Sequence, residues 1–234
     1  MKKIIACVLV IILIIIADFY LIDYLSVKKI NLVDVYVASR TINPREIIKE
    51  SDIKTIKIAN DYVLPGVIHN REDIVGKITS LQGLIVKDSM FYSEQLDDID
   101  KIPDSAVPLL EKNQVAFTLT NESGNLDTTS FVVGQSIDIY VSIQQRNEKP
   151  VFDLLLESVR IVSIKDRKGI EISSVESTGT PFSLTFAINQ DVISILSLAN
   201  KIGELEIYSS KNSYQNNPSK LNKDSKILPY LVQQ

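Results

Sequence analysis

Between Val35 and Leu96, short apolar runs alternate with charged turns, and no run is long enough for a large helix. Val35, Val37 and then Ile42 predict a strand entering a turn at Asn43-Pro44. Ile53, Ile56 and Ile58 predict a second extended piece, and Pro65-Gly66 is strong turn punctuation. Ile74, Ile78, Leu81, Ile85, Met90 and Phe91 supply further short apolar pieces. Many short strands joined by polar turns point to a β-rich module rather than a helical or doubly wound one. Two segments, Ile42 to Ile48 and Ile85 to Phe91, share one apolar–charged–apolar layout. Two such hairpin-like pieces fit a pseudo-symmetric β fold, although seven-residue patterns also recur by chance.

The other constraint is the N-terminus. Lys2-Lys3 precede an unbroken apolar run from Ile4 to Ala17, which resumes after Asp18 as Phe19-Tyr20-Leu21-Ile22. About 22 residues match the roughly 20 that span a bilayer. Some 14 apolar residues at about -0.5 kcal/mol each outweigh one acid at about +3 kcal/mol. Asp18 and Asp23 fall toward the far interface, where Phe19, Tyr20 and Tyr24 fit an aromatic belt. No small-residue cleavage site follows Ala17, so an uncleaved anchor over 1–25 is expected rather than a signal peptide. The positive-inside rule puts Lys2-Lys3 in the cytoplasm and the bulk of the chain outside the cytoplasmic membrane, in single-pass topology. Residues 26–34, with Lys28-Lys29, read as a juxtamembrane linker.

With 234 residues the chain has room for an anchor and two small domains. A net charge of -4 argues against a nucleic-acid partner held by phosphate neutralisation. Cys7, in the apolar run, is the one cysteine, so no intramolecular disulfide and no thiolate metal cluster is possible. It is not a lipidation site, because the apolar region follows it instead of preceding it.

Residues 35–96 form the first module, and acidic, proline-containing 97–112 reads as a linker. A second module over 113–210 begins with alternation at Val115 to Leu119 and continues with Ile137, Ile139 and Val141 on one strand face. Strands are also expected at Leu154 to Ile164, Phe182 to Ile188 and Glu204 to Tyr208, with a turn at Asp166 to Gly169. One helix carries the stripe Val192, Ile195, Leu196 and Ala199, with Asn189 as N-cap and Gly203 past its end. The expected class is mainly β with α+β character and one prominent helix. The Asn/Ser/Lys-rich stretch 211–234 reads as a flexible tail.

Val37-Ala38-Ser39-Arg40, Ile42 with Pro44, Asp52-Ile53, and Pro65-Gly66 followed by Glu72-Asp73-Ile74-Val75-Gly76-Lys77 resemble a SAF domain. This is the β-clip module of antifreeze-like proteins, flagellar P-ring chaperones and CpaB-type pilus assembly proteins. The family usually has Gly in both hairpins, where this chain has Arg45 and Asp88. Asp tolerates positive φ better than Arg, so the turn at Arg45 is expected to differ in shape. The second module resembles the C-terminal part of CpaB/RcpC-type Flp (Tad) pilus assembly proteins. Gly134-Gln-Ser-Ile-Asp138-Ile is similar to their Gly-Asp-x-Val-Asp-Val signature, with Gln135 and Val133 departing from it. Leu155 to Val162, Ser183 to Ala187 and Gly203 to Ile207 match the following blocks. The resemblance implies an assembly scaffold whose partners are pilus machinery proteins: platform, pilin, or a secretin where an outer membrane exists. A homo-oligomer is left open.

Chemistry-bearing patterns are sparse. His69 is the only histidine and sits in a loop. No nucleophile elbow, phosphate loop or dinucleotide turn is present in the sequence. The acids Asp97, Asp98 and Asp100 lack EF-hand spacing. The chain is therefore expected to be non-catalytic, without cofactor or metal, and to recognise partners through edge strands and two loops. The loop positions singled out are Pro65, Gly66, Asn121 and Gly124. The alternative is an envelope glycan-binding or flagellar-chaperone-like SAF protein, for which Tyr62, Phe91 and Tyr92 are the aromatic candidates in the first module.

Overall fold

The computed structural model describes residues 2–29, 31–121, 131–144, 149–210, 213–215 and 217–232. The chain divides into two units, Met1–Asp97 and Asp98–Gln234. The fold is mainly β with a few helices, and its largest element is an antiparallel sheet.

The first unit opens with helix α1, Lys2–Lys29. Its side chains are described from Val10 to Tyr24, and every one of them is exposed. Among the described residues no helix is long and apolar enough to cross a membrane. The helix continues to Lys29, into the first part of the expected 26–34 linker, and strand β1, Leu32–Ala38, begins before Val35.

β1 pairs antiparallel with β2, Ile53–Ala59. Two shorter strands, β3 (Ile78–Thr79) and β4 (Leu96–Asp97), form a second pair. These pairs are two copies of one motif, as the backbone hydrogen bonds show. Ala38 N–H donates to Ser89 O at 2.9 Å, and Thr79 N–H donates to Glu46 O at 3.2 Å. Asp88 N–H donates to Ala38 O at 2.9 Å, and Arg45 N–H donates to Thr79 O at 3.3 Å. Ser39 N–H to Asp52 O corresponds to Ser80 N–H to Gln95 O, both 2.8 Å. The short 3-10 turns Glu50–Asp52 and Ser93–Gln95 precede β2 and β4 respectively. Ile42 and Ile85 pair across the pseudo-axis. The repeat seen in the sequence is therefore structural.

Arg45 has φ 59° and Asp88 has φ 70°, so the two turns share the left-handed conformation. The expected difference at Arg45 does not occur. Thr79, fully buried, holds that turn closed: its hydroxyl donates to Asn43 O at 2.7 Å and accepts Glu46 N–H at 3.0 Å. Val35, Val37, Ala38, Ile42, Ile48, Ile74, Ile78, Ile85 and Phe91 are buried to 1% exposure or less and fill the core. Each larger side chain among them contributes about 1.5–3 kcal/mol. Leu81, expected with this set, is exposed.

The second unit is built on a six-stranded sheet. Its strands are β5 (Gln114–Thr120), β6 (Ser136–Ile143), β7 (Val151–Lys165), β8 (Ser183–Asn189) and β9 (Glu204–Ser209), in the order β5-β8-β7-β6-β9. Strand β10, Lys220–Leu221, adds to β7 beside Leu156 and Glu157. Alternation along β6 buries Ile137, Ile139, Val141 and Ile143 on one face, with helix α2 (Ile193–Ile202) contributing Leu196 and Ala199 to the same core.

Three expectations are corrected here, while Gly203 stands just past the end of α2 as expected. Asn189 does not cap α2: Val192 holds that position, and Asn189 Nδ2 donates to Ser219 O at 3.3 Å instead. Gly203 ends the helix in extended backbone, φ -138°; a Cβ there would lie 2.6 Å from Ser142 O, so close strand approach requires the glycine. The 97–112 stretch is not a free linker. Ile102 and Ser105 are buried, Arg160 donates to Leu109 O at 3.0 Å, and Lys165 donates to Pro103 O at 2.6 Å. The described part of 211–234 is not a loose tail either. Ile227 (0% exposed) and Leu231 (6%) enter the core beside Leu196, carried by β10 and the short helix α3, Leu228–Val232. A few apolar residues in a polar stretch suffice when a sheet edge and a helix groove receive them.

Candidate functional site

Pro65-Gly66 forms an exposed turn in which Gly66 has φ 87° and Val67 N–H reaches Leu64 O at 3.4 Å. Gly66 O accepts Ser93 N–H at 2.9 Å, which ties the turn to the second half of the repeat. Tyr62 and Leu64 beside it are 74% and 58% exposed, so the loop offers apolar contact area. Asn121, in the second unit, donates its backbone N–H to Phe182 O at 2.8 Å and is half-buried. Gly124 lies outside the described residues.

The signature-like run from Gly134 to Asp138 builds a joint in the sheet. Gly134 has φ 89°, and Gln135, 4% exposed, donates from Nε2 to Ser209 Oγ at 2.7 Å. Asp138 accepts Ser158 N–H at 2.9 Å, where Ser158 adopts φ 55° at an irregularity in the β6–β7 register. These residues thus fix how β6, β7 and β9 meet.

On the face of this sheet opposite α2, the joint presents three aromatic rings. Tyr140 of β6 stacks on Phe152 of β7, centroids 5.3 Å apart and planes 13° from parallel. Tyr208 of β9 meets Tyr140 edge-on, also at 5.3 Å. Phe152 is 48% exposed and Tyr208 46%. The Tyr208 hydroxyl donates to Glu206, one turn of the pleat away on the same face, which pushes the Tyr208 pKa up. None of these residues was singled out from the sequence. Strand reading there followed the buried set Ile137, Ile139 and Val141; the intervening Tyr140 was the available signal, but its neighbours Phe152 and Tyr208 come together only through strand pairing.

Two acidic networks are internally satisfied. Arg40 forks onto Asp52 at 2.8 and 3.0 Å and reaches Glu46 at 2.7 Å. Hydrogen bonds from Arg40 hold Glu46 below the usual carboxylate range. Burial pushes Asp52 up, but Arg40 and Lys49 N–H outweigh it, and the net shift is downward. In the second unit, Asp166 accepts backbone N–H groups of Thr178, Ile170 and Lys168 at 2.8–3.0 Å, which holds it far below its usual range. Its role is to close two loops.

Near Glu171 a cavity of about 280 Å³ is lined by Ile99, Ser105, Leu109, Val133 and Val162 among others. Glu171 is buried, and its carboxylate accepts Ser105 Oγ, Ser163 Oγ and Ile164 N–H. Those bonds fasten the 98–112 segment to the sheet. Among the described residues no group of three or more His, Cys, Asp or Glu side chains is placed to hold a metal ion. His69 is exposed.

No family model, curated protein or solved structure gives a significant match to the chain.

Proposed function

We propose that the chain is a membrane-anchored, non-catalytic assembly protein of the cell envelope, of the CpaB/RcpC type that serves Flp (Tad) pilus biogenesis. α1 inserts in the cytoplasmic membrane with Lys2-Lys3 inside, and both β-rich units work outside through protein–protein contacts. The observation that carries this reading is α1 itself. From Val10 to Tyr24 its side chains are exposed all round, and 12 of the 15 are Ile, Leu, Val, Phe or Tyr, the others being Ala17, Asp18 and Asp23. A helix that is apolar on every side needs an apolar surrounding, and the continuing apolar sequence from Ile4 supplies the remaining length. The pseudo-symmetric first unit supports the SAF resemblance, and the joint at Gly134 to Asp138 gives the second resemblance a structural role.

Two measurements test the anchor. Alkaline carbonate leaves an integral protein in the pellet, and a membrane-impermeant maleimide labels a cysteine introduced at Tyr62 of the Cys7→Ser chain in intact cells or spheroplasts. Release by carbonate, or labelling only after lysis, would refute this topology.

A further inference from the structure

β9 is the last strand of its sheet, and among the described residues no strand pairs with its outer side. Such an edge is a row of backbone donors and acceptors ready to take another strand. Most edges are blunted by lysine, proline or a bulge, whereas β9 reads Glu-Leu-Glu-Ile-Tyr-Ser and pairs with β6 without a break from Glu204 to Ser209. Its outward-facing side chains are Glu204, Glu206 and Tyr208, and Tyr140 and Phe152 continue that face inward as one aromatic cluster.

We infer that β9 is a docking edge for an extended, basic peptide segment of a partner protein, which adds as a seventh strand. Backbone hydrogen bonds to β9 give the strand its place. Its Lys or Arg side chains on the outer face meet Glu206 and Glu204 and lie against the ring of Tyr208, combining carboxylate pairing with cation–π contact. Its alternate apolar side chains extend the face that Leu205 and Ile207 already bury at 7% and 9% exposure.

Two other occupants fit less well. In a symmetric pairing of β9 with a second copy centred on Glu206, which keeps the apolar face continuous, the two Glu206 carboxylates stand against each other, which like-charge repulsion opposes. A sugar ring needs an open aromatic face, but Tyr140 and Phe152 stack on each other at 13° and cover part of theirs. The inference goes beyond the scaffold reading and is independent of the membrane and the pilus.

The test uses the full chain in detergent micelles and fluorescent nonapeptides read by anisotropy. The probe is Gly-Lys-Val-Lys-Thr-Lys-Val-Lys-Gly, compared with its Lys-to-Glu counterpart. Two further versions of the basic peptide are N-methylated at alternate residues, one set on each edge. The basic peptide is expected to bind saturably and the acidic one not. Of the two N-methylated versions only one should bind, the signature of strand addition. Joint Glu204→Gln and Glu206→Gln substitution should weaken binding about fivefold, and Tyr208→Ala by about tenfold, with circular dichroism unchanged. Equal binding of acidic and basic peptides, or equal behaviour of both N-methylated versions, overturns the inference without any reliance on a folded variant. So does absence of peptide binding, binding of an N-acetylglucosamine tetramer in its place, or a dimer through β9 that competes with the peptide.

Discussion

Ile42 and Ile85 exchange both backbone hydrogen bonds, Ile42 N–H to Ile85 O at 2.8 Å and Ile85 N–H to Ile42 O at 3.0 Å. They are equivalent residues of two halves, so the bond pair lies on the pseudo-axis of the first unit. Each half then turns back three residues later through a residue with positive φ, Arg45 or Asp88. A left-handed turn is thus required twice, whatever residue occupies it.

The cost of that requirement should be measurable. An L-residue with a Cβ in this region loses about 1–2 kcal/mol, partly offset for glycine by about 0.5–1 kcal/mol of chain entropy. Arg45→Gly should therefore raise stability by at most about 0.5 kcal/mol, because it also removes the ion pair with Asp97 at 3.6 Å. Asp88→Gly should be near neutral, since it also removes the ion pair with Lys54. Arg45→Val should destabilise. Urea midpoints of the full chain in detergent check the order.

Thr79 should behave as a structural hydroxyl. Thr79→Val keeps the shape but removes the fully buried hydroxyl that bonds Asn43 O and Glu46 N–H, at a cost of about 1–3 kcal/mol. Thr79→Ser keeps both bonds and loses one methyl, about 0.8 kcal/mol. Equal losses for the two variants would show that the hydroxyl does not hold the turn.

Acid should weaken the first unit through Arg40. Glu46 and Asp52 are held below their ordinary range when folded, so their ionised forms favour folding. That contribution is fully present above the ordinary carboxylate range near pH 4 and is lost as pH falls through the lowered folded values. Arg40→Gln should cost about 1–2 kcal/mol at pH 7, because Asp52 keeps a buried charge while Arg40 itself is partly exposed. It should also flatten the fall in stability below about pH 4. Urea unfolding at a series of pH values reads both.

The C-terminal stretch should be part of the second unit's stability. Ile227→Ala empties a fully buried position and should cost about 2–4 kcal/mol, comparable to other large-to-small core changes. Lys223→Ala, on an exposed loop, should be within about 0.5 kcal/mol of neutral. Limited proteolysis should cut after residue 210 in the Ile227 variant faster than in the parent chain.

Short-range patterns were the legible part of this fold. The period-2 alternation of Ile137, Ile139 and Val141 marked a strand, and the stripe Val192, Leu196 and Ala199 marked α2, because one buried face leaves a direct imprint on composition. What depends on distant partners was not legible. Asn189 looks like a cap until Ser219 arrives to occupy it. Residues 97–112 look like a linker until Ser105 meets Glu171, and Ile227 looks like a solvated residue until β10 brings it to Leu196. The aromatic cluster has the same origin: Tyr140, Phe152 and Tyr208 are far apart in the chain and become neighbours only through the registers of β6 with β7 and β9. Pro65-Gly66 was legible as a turn because its chemistry is local.

The central claim is an anchored scaffold that works by contact with assembly proteins. Crosslinking the full-length chain in its native membrane, followed by mass spectrometry of what co-purifies, tests it most directly. Recovery of pilins, platform proteins or the assembly ATPase, with crosslinks outside the membrane, is the predicted result. Recovery of cell-wall fragments or flagellar ring subunits alone would contradict it.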